Sequence, residues 1–139
     1  MQQVQEVLTI STHGIGMYEF TTQLQTWIQS TSIEAGLLTI FCKHTSASLT
    51  IQENADTDVQ KDLMSALENL APMDAQRYRH RAEGPDDMPA HIKSALTDVS
   101  LSVPVASGKA QLGTWQGVYL IEHRQAPHIR NVALHFFGT

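Results

Sequence analysis

The sequence predicts a single α+β domain, residues 1–139, in which most strands pair with partners distant along the chain. Two patterns carry that expectation. Short apolar or alternating runs, too brief for helices, recur along the whole chain. Between them lie stretches whose apolar residues return every three to four positions, the period of a helix with one buried face. No internal repeat or low-complexity segment interrupts them, and 139 residues suffice to bury one core.

Residues 4–10 (Val-Gln-Glu-Val-Leu-Thr-Ile) read as a strand, and His13-Gly14-Ile15-Gly16 as a turn. Thr21 or Thr22 suits the start of a short helix carrying Leu24, Trp27 and Ile28 on one face. After Gly36, residues 37–43 read as a buried strand, and residues 48–53 as the alternating strand that follows. Asp56 opens the clearest helix, with Val59, Leu63, Leu67 and Leu70 at helical spacing and Pro72 as its stop. Residues 73–88 form a long polar loop, of a length that compact domains usually reserve for function or leave disordered. Pro89 fits the first turn of a helix running to about Val99. Three strands close the chain: Leu101–Val105, Leu112–Glu122 and Val132–Phe137.

Composition narrows the partners. Apolar residues make up 42% of the chain and charged residues 17%, a globular balance. Nine Lys and Arg against fourteen acids leave a net charge of −5, which argues against a phosphate-reading nucleic-acid surface. No apolar run approaches a membrane span, and the N-terminus lacks the basic start of a signal peptide, so a cytoplasmic location with no membrane partner is expected. Cys42 is the only cysteine, which excludes an intramolecular disulfide and a multi-thiolate zinc site. Its apolar surroundings suggest a buried, inert thiol.

Seven histidines are many for this length, and imidazole is both the commonest metal ligand and a proton carrier near neutrality. His44 opens Lys43-His44-Thr45-Ser46-Ala47-Ser48, a segment that either approaches a ligand closely or simply caps a strand end. His80 lies in the polar loop and His91 in the following helix, with Glu83, Asp86 and Asp87 between them as possible second-layer partners for imidazoles. That spacing is not the His-x-x-x-His pair of a helical zinc site, and by itself it reads as a solvated loop. Asn54 and Asp56 sit at a strand–helix junction, where exposed N–H groups attract anions and where plain capping also explains an aspartate. Trp115 and Gln116 lie between Gly113 and Gly117, a bulge signal within the expected strand. Glu122-His123-Arg124 reads as a solvated strand end, and His135, alternating with Leu134 and Phe136, as outward-facing. No nucleophile elbow, Walker or dinucleotide glycine pattern is present.

Three segments together match something specific. They are residues 44–56 (His-Thr-Ser-Ala-Ser-Leu-Thr-Ile-Gln-Glu-Asn-Ala-Asp), Tyr78-Arg79-His80 with residues 83–93 (Glu-Gly-Pro-Asp-Asp-Met-Pro-Ala-His-Ile-Lys), and residues 112–117 with Glu122-His123-Arg124. In this order and spacing the chain closely resembles the YjbQ family, described as secondary thiamine-phosphate synthases. The resemblance implies a β-sandwich with a few helices that assembles as a homotrimer, with a pocket near subunit contacts. It implies His44, His80 and His91 as metal ligands, with zinc favoured over magnesium by the imidazoles. Glu122, Asp56 and Asn54 are the implied catalytic residues, and Lys43, Trp115, Gln116 and Arg124 the substrate-binding ones.

The implied reaction couples a pyrimidine pyrophosphate to a thiazole phosphate and releases pyrophosphate. Lys43 and Arg124 would neutralise the leaving group, and Trp115 would stack on the pyrimidine. Many relatives follow the glutamate with an Asp-Gly-Pro-Arg turn, whereas here Glu122 is followed by His123-Arg124-Gln125-Ala126-Pro127, which leaves Arg124 or Arg130 as substitutes. A three-histidine site with an open position is the layout that activates water, so the synthase reaction reads as a side activity of a pocket for a small phosphorylated or heterocyclic metabolite. A trimeric binding protein without turnover, or a structural metal site at subunit contacts, are the alternatives.

Overall fold

The computed structural model describes residues 1–139. Its strands are β1 (Gln2–Thr12), β2 (Gly16–Glu19), β3 (Gly36–Cys42), β4 (Ala47–Glu53), β5 (Ser100–Ala106), β6 (Lys109–Ala110), β7 (Gln116–Glu122) and β8 (His128–Gly138). The helices are α1 (Thr21–Ser30), α2 (Thr57–Leu70) and α3 (Asp87–Leu96), with a 3-10 turn at Ala75–Arg77. The larger sheet runs β1-β8-β3-β5-β6 and the smaller β2-β7-β4. All pairings are antiparallel, and only β5 and β6 are neighbours both in sequence and in a sheet. The expected α+β class with non-adjacent pairings holds.

The two sheets share one core of 17 buried residues. Leu38, Ile40 and Cys42 of β3 meet Val132, Leu134 and Phe136 of β8 on the inner face of the larger sheet. Ala47 and Leu49 of β4, with Val118 and Leu120 of β7, supply the facing layer, while Leu24 and Ile28 plug it from α1. The strand expected to be buried throughout residues 37–43 is buried on one face only. Leu37 and Phe41 point outward, 48% and 46% exposed, because the larger sheet carries no covering layer within the chain.

Element ends differ from expectation for local reasons. Neither Thr21 nor Thr22 caps α1; Phe20 holds that position without a side-chain cap. The Thr21 hydroxyl instead donates to the Glu19 carboxylate and accepts from the Val118 N–H, tying α1 to both β2 and β7. Asp56 does cap α2, accepting from the Asp58 N–H at 2.9 Å. α3 begins at Asp87, two residues before the expected start, and Pro89 falls within its first turn, where no N–H is needed. The strand expected from Leu112 begins only at Gln116. β2 and β6, four and two residues long, are too short to leave a periodic signal.

One register sets the geometry that follows. β4 and β7 pair so that Ala47 faces Glu122 at one end and Glu53 faces Gln116 at the other. Seven residues of strand put about 20 Å between those ends.

Candidate metal centre

The Glu122 end of this pair carries a dense polar network. Asp87 and His91 are the first and fifth residues of α3, so the helical turn stacks them on one face. His80 reaches the same point from the preceding loop. Its Nε2 lies 2.7 Å from Asp87 Oδ2, and His91 Nε2 lies 3.2 Å from that same oxygen. The two imidazole rings are 5.7 Å apart, edge to face. One donor atom from each of His80, Asp87 and His91 falls within 4.8 Å of the others, a span one metal ion can bridge.

The loop is held in place by Arg124, which follows β7. Its Nε donates to Asp86 at 3.0 Å, Nη1 to Asp87 Oδ1 at 2.8 Å, and Nη2 to the Glu83 carbonyl at 3.1 Å. Asp86 also accepts from the Gln125 N–H at 2.9 Å. Gly84, at φ +106°, supplies the left-handed step that turns the chain between Glu83 and Asp86. Burial alone would raise the Asp87 carboxyl above its usual range. The hydrogen bond from His80, the charge that His91 carries when protonated, and that of Arg124 reverse this, and Asp87 is held low.

The hydrogen bonding of His91 tests whether these residues suit a metal. Its Nδ1 lies 3.0 Å from the Thr45 carbonyl, which only accepts, so Nδ1 carries the hydrogen. In the neutral ring Nε2 then offers a lone pair toward a carboxylate oxygen. Two lone pairs face each other stably only with a proton or a metal cation between them. An imidazole fixed through its far nitrogen by a backbone carbonyl is the usual outer support of a metal-ligating histidine. Two imidazole nitrogens and one carboxylate oxygen are donors that suit zinc and related ions. The donor set fits.

The other expected residues divide into three groups. Arg124 and Glu122 belong to this end, both committed to the chain itself. Glu122 is fully buried and accepts from the Arg130 guanidinium, the Thr12 hydroxyl at 2.6 Å and the Arg124 N–H at 3.1 Å. Burial would raise its carboxyl, but these donors, Arg130 foremost, hold it below the usual range. His44 stands outside the three-donor group. Its Nε2 accepts the Asn131 backbone N–H at 2.7 Å, and burial, with Arg130 nearby, lowers its pKa. The third donor beside His80 and His91 is therefore the Asp87 carboxylate rather than a third imidazole. Lys43 is exposed next to His44.

Asn54, Asp56, Trp115 and Gln116 sit at the opposite end of the β4–β7 pair. Asn54 Nδ2 donates to Glu19 at 3.2 Å, Gln116 Oε1 accepts from the Gly113 N–H at 2.7 Å, and Trp115 is 63% exposed. Within one chain they do not reach the cluster. The strand end expected to be solvated at Glu122-His123 is buried: His123 is fully covered, 2.8 Å from the Ser48 hydroxyl through Nε2, with Nδ1 unpartnered. Asp87, expected only as an outer partner for the imidazoles, is itself one of the three donors. Asp87-x-x-x-His91, at helical spacing, was the signal.

A family model described as "UPF0047 protein YjbQ-like" matches residues 6–139. The UPF0047 protein sll1880 of Synechocystis sp. is 52% identical over 137 residues, spanning 99% of this chain and 93% of that protein. The UPF0047 protein YjbQ of Escherichia coli O157:H7 is 41% identical over 121 residues, 86% of this chain and 87% of that one. Among solved structures, the conserved hypothetical protein TT1486 of Thermus thermophilus superposes with a TM-score of 0.85 at 35% identity, covering 95% of this chain and 99% of that one. A YbjQ-like protein of unknown function from Sulfolobus solfataricus shares the fold, with a TM-score of 0.87 at 18% identity over 99% of this chain and 100% of that one.

Proposed function

The chain belongs to the YjbQ-like UPF0047 family, and on that footing we propose that it binds a divalent transition metal through His80, Asp87 and His91 and acts there on a small phosphorylated or heterocyclic metabolite. The observation that carries this reading is the Thr45 carbonyl on His91 Nδ1, which turns the Nε2 lone pair onto Asp87. The chain's own residues prepare the centre. Arg124 orients Asp87 by occupying Oδ1 and leaving Oδ2 to the imidazoles. The buried Glu122–Arg130 pair anchors the strand ends beneath it, and Arg130 also donates to Ser46 Oγ at 3.0 Å. Thr45, which holds His91, thus lies next to a fixed residue. Bound zinc would supply Lewis-acid polarisation of a phosphoryl oxygen or a water of lowered pKa.

Thiamine-phosphate synthase-like coupling is the specific reaction proposed, as a side activity of this pocket. The support for it is the motif resemblance together with a charged network at the site. The chain is further proposed to work as a homotrimer. Support for this comes from the apolar side chains that the larger sheet leaves open, Phe41 and Phe137 among them.

Zinc titration with elemental analysis tests the reading. Wild type should take up one zinc per chain, and H91A should lose it while keeping its far-UV circular dichroism. Wild type that takes up no zinc sinks the proposal. Incubation with the pyrimidine pyrophosphate and thiazole phosphate should give product with wild type and none with H91A. Zinc uptake without product would favour a binding protein that does not turn its ligand over.

A further inference from the structure

We infer that the cavity beside His80 is a subsite for a small phosphate ester carrying one ring, with Arg81 as its anion-holding residue. The inference deepens the metal reading above and rests on it for the role of His80, which lines the cavity and also contributes to the three-donor cluster. The cavity measures about 180 Å³, lined by Tyr78, His80, Arg81, Pro85, Met88 and Pro89 among others. A void near 150 Å³ takes a benzene-sized guest, so this one has room for a single ring or a phosphate with a short body. Its walls are flat or apolar (Tyr78, two prolines and a methionine), apart from the imidazole and the guanidinium.

Pairing and position together single out Arg81, since Arg79, likewise exposed and without an ion pair, does not line the cavity. Arg124 is engaged by Asp86 and Asp87, Arg130 by Glu122, and Arg77 by Asp74 at 3.4 Å. Arg81 is exposed, lines the cavity, and makes no ion pair within the chain. Of the nearby carboxylates, Asp86 and Asp87 share the single charge of Arg124, and that of Glu83 lies 3.9 Å from His80 Nε2. A planar guanidinium is the natural partner of a phosphate. The walls are also firm: the Tyr78 hydroxyl donates to the Pro72 carbonyl at 2.8 Å, and Pro89 belongs to the first turn of α3. An anion seated on Arg81 adjoins His80, which puts the ester within reach of the proposed metal. The aromatic surface offered to a ring is Tyr78, whereas Trp115 lies at the far end of the smaller sheet.

Calorimetric titration of phenyl phosphate and of inorganic phosphate into full-length protein, zinc-loaded and chelator-treated, tests this. Wild type should bind phenyl phosphate more tightly than phosphate in both metal states. R81Q should weaken binding at least about tenfold, as loss of a charge-assisted contact does. R77Q, whose arginine is already paired, should bind as wild type, which separates a specific contact from a general loss of positive charge. No phenyl phosphate binding by wild type, equal binding by R81Q, or equal affinity for the two ligands would each overturn the inference. Arginine-dependent binding in a protein that takes up no zinc would uphold the subsite and sink only the metal reading.

Discussion

Asp87 divides its two oxygens between neighbours, Oδ1 to Arg124 and Oδ2 to two imidazoles, and this division is what makes three ordinary side chains a candidate ligand set. The same scale governs His123, which the proposed chemistry leaves unused. Burial, reinforced by the Lys93 ammonium, pushes its pKa down to about 3. In the unfolded chain it titrates near 6.5. As pH falls below that value the unfolded state takes up a proton that the native state refuses, so the contribution of His123 to stability drains away between about 6.5 and 3. Urea unfolding between pH 7 and pH 5, above the range in which the carboxylates titrate, should reveal a loss approaching about 1.4 kcal/mol per pH unit from this group. H123Q should flatten that slope. An equal slope in both proteins would show that His123 is not the group responsible.

Among the elements, the segment between α2 and α3 behaves least like what its composition suggests. Residues 73–86 are polar and contain only one 3-10 turn, yet the segment and the start of α3 that follows it are pinned at Tyr78, Glu83, Asp86 and Asp87. Three of those four anchors are supplied by Arg124, from an element far along the chain. Replacing Arg124 with Met removes all three of its contacts together, keeps only the Gln125 N–H on Asp86, and leaves Asp87 without its orienting charge. Loss of such an outer partner typically weakens metal affinity about 10- to 100-fold. R124M should therefore bind zinc in that weakened range and be cut faster by trypsin at Arg79 and Arg81, with the core transition intact. Unchanged zinc affinity and unchanged cleavage would mean the loop holds itself.

At the scale of the whole molecule, the outer face of the larger sheet is the unfinished surface. Val7, Leu37, Phe41 and Phe137 are each close to half exposed, and the register aligns Val7 with Ala133 and Phe41, and Leu37 with Phe137. Between these rows lies His135, outward as its alternation implied, 2.9 Å from the Gln5 amide. Large apolar side chains left half exposed together on one sheet face are what an assembly covers. Light scattering should find wild type as a trimer, and F41E, which places a charge in the patch without touching the core, should shift it toward monomer. A monomeric wild type would remove the assembly proposal.

Much of this was legible from residue order alone. The strand after Gly36 (though not that only one of its faces is covered), the helical spacing of Leu63 and Leu67, and Asp56 as a cap are local properties, set by backbone periodicity and by hydrogen bonds within a few residues. His80 and His91 were nameable only through the family resemblance, since their spacing by itself reads as a solvated loop. What only the tertiary structure decided is which distant groups meet. The β4–β7 register separates Trp115 and Asn54 from the cluster by the length of a strand, the Asn131 amide takes His44 Nε2, and Arg124 reaches back to shape the loop. Such choices depend on how sheets stack and pair across the whole chain, and no local pattern encodes them.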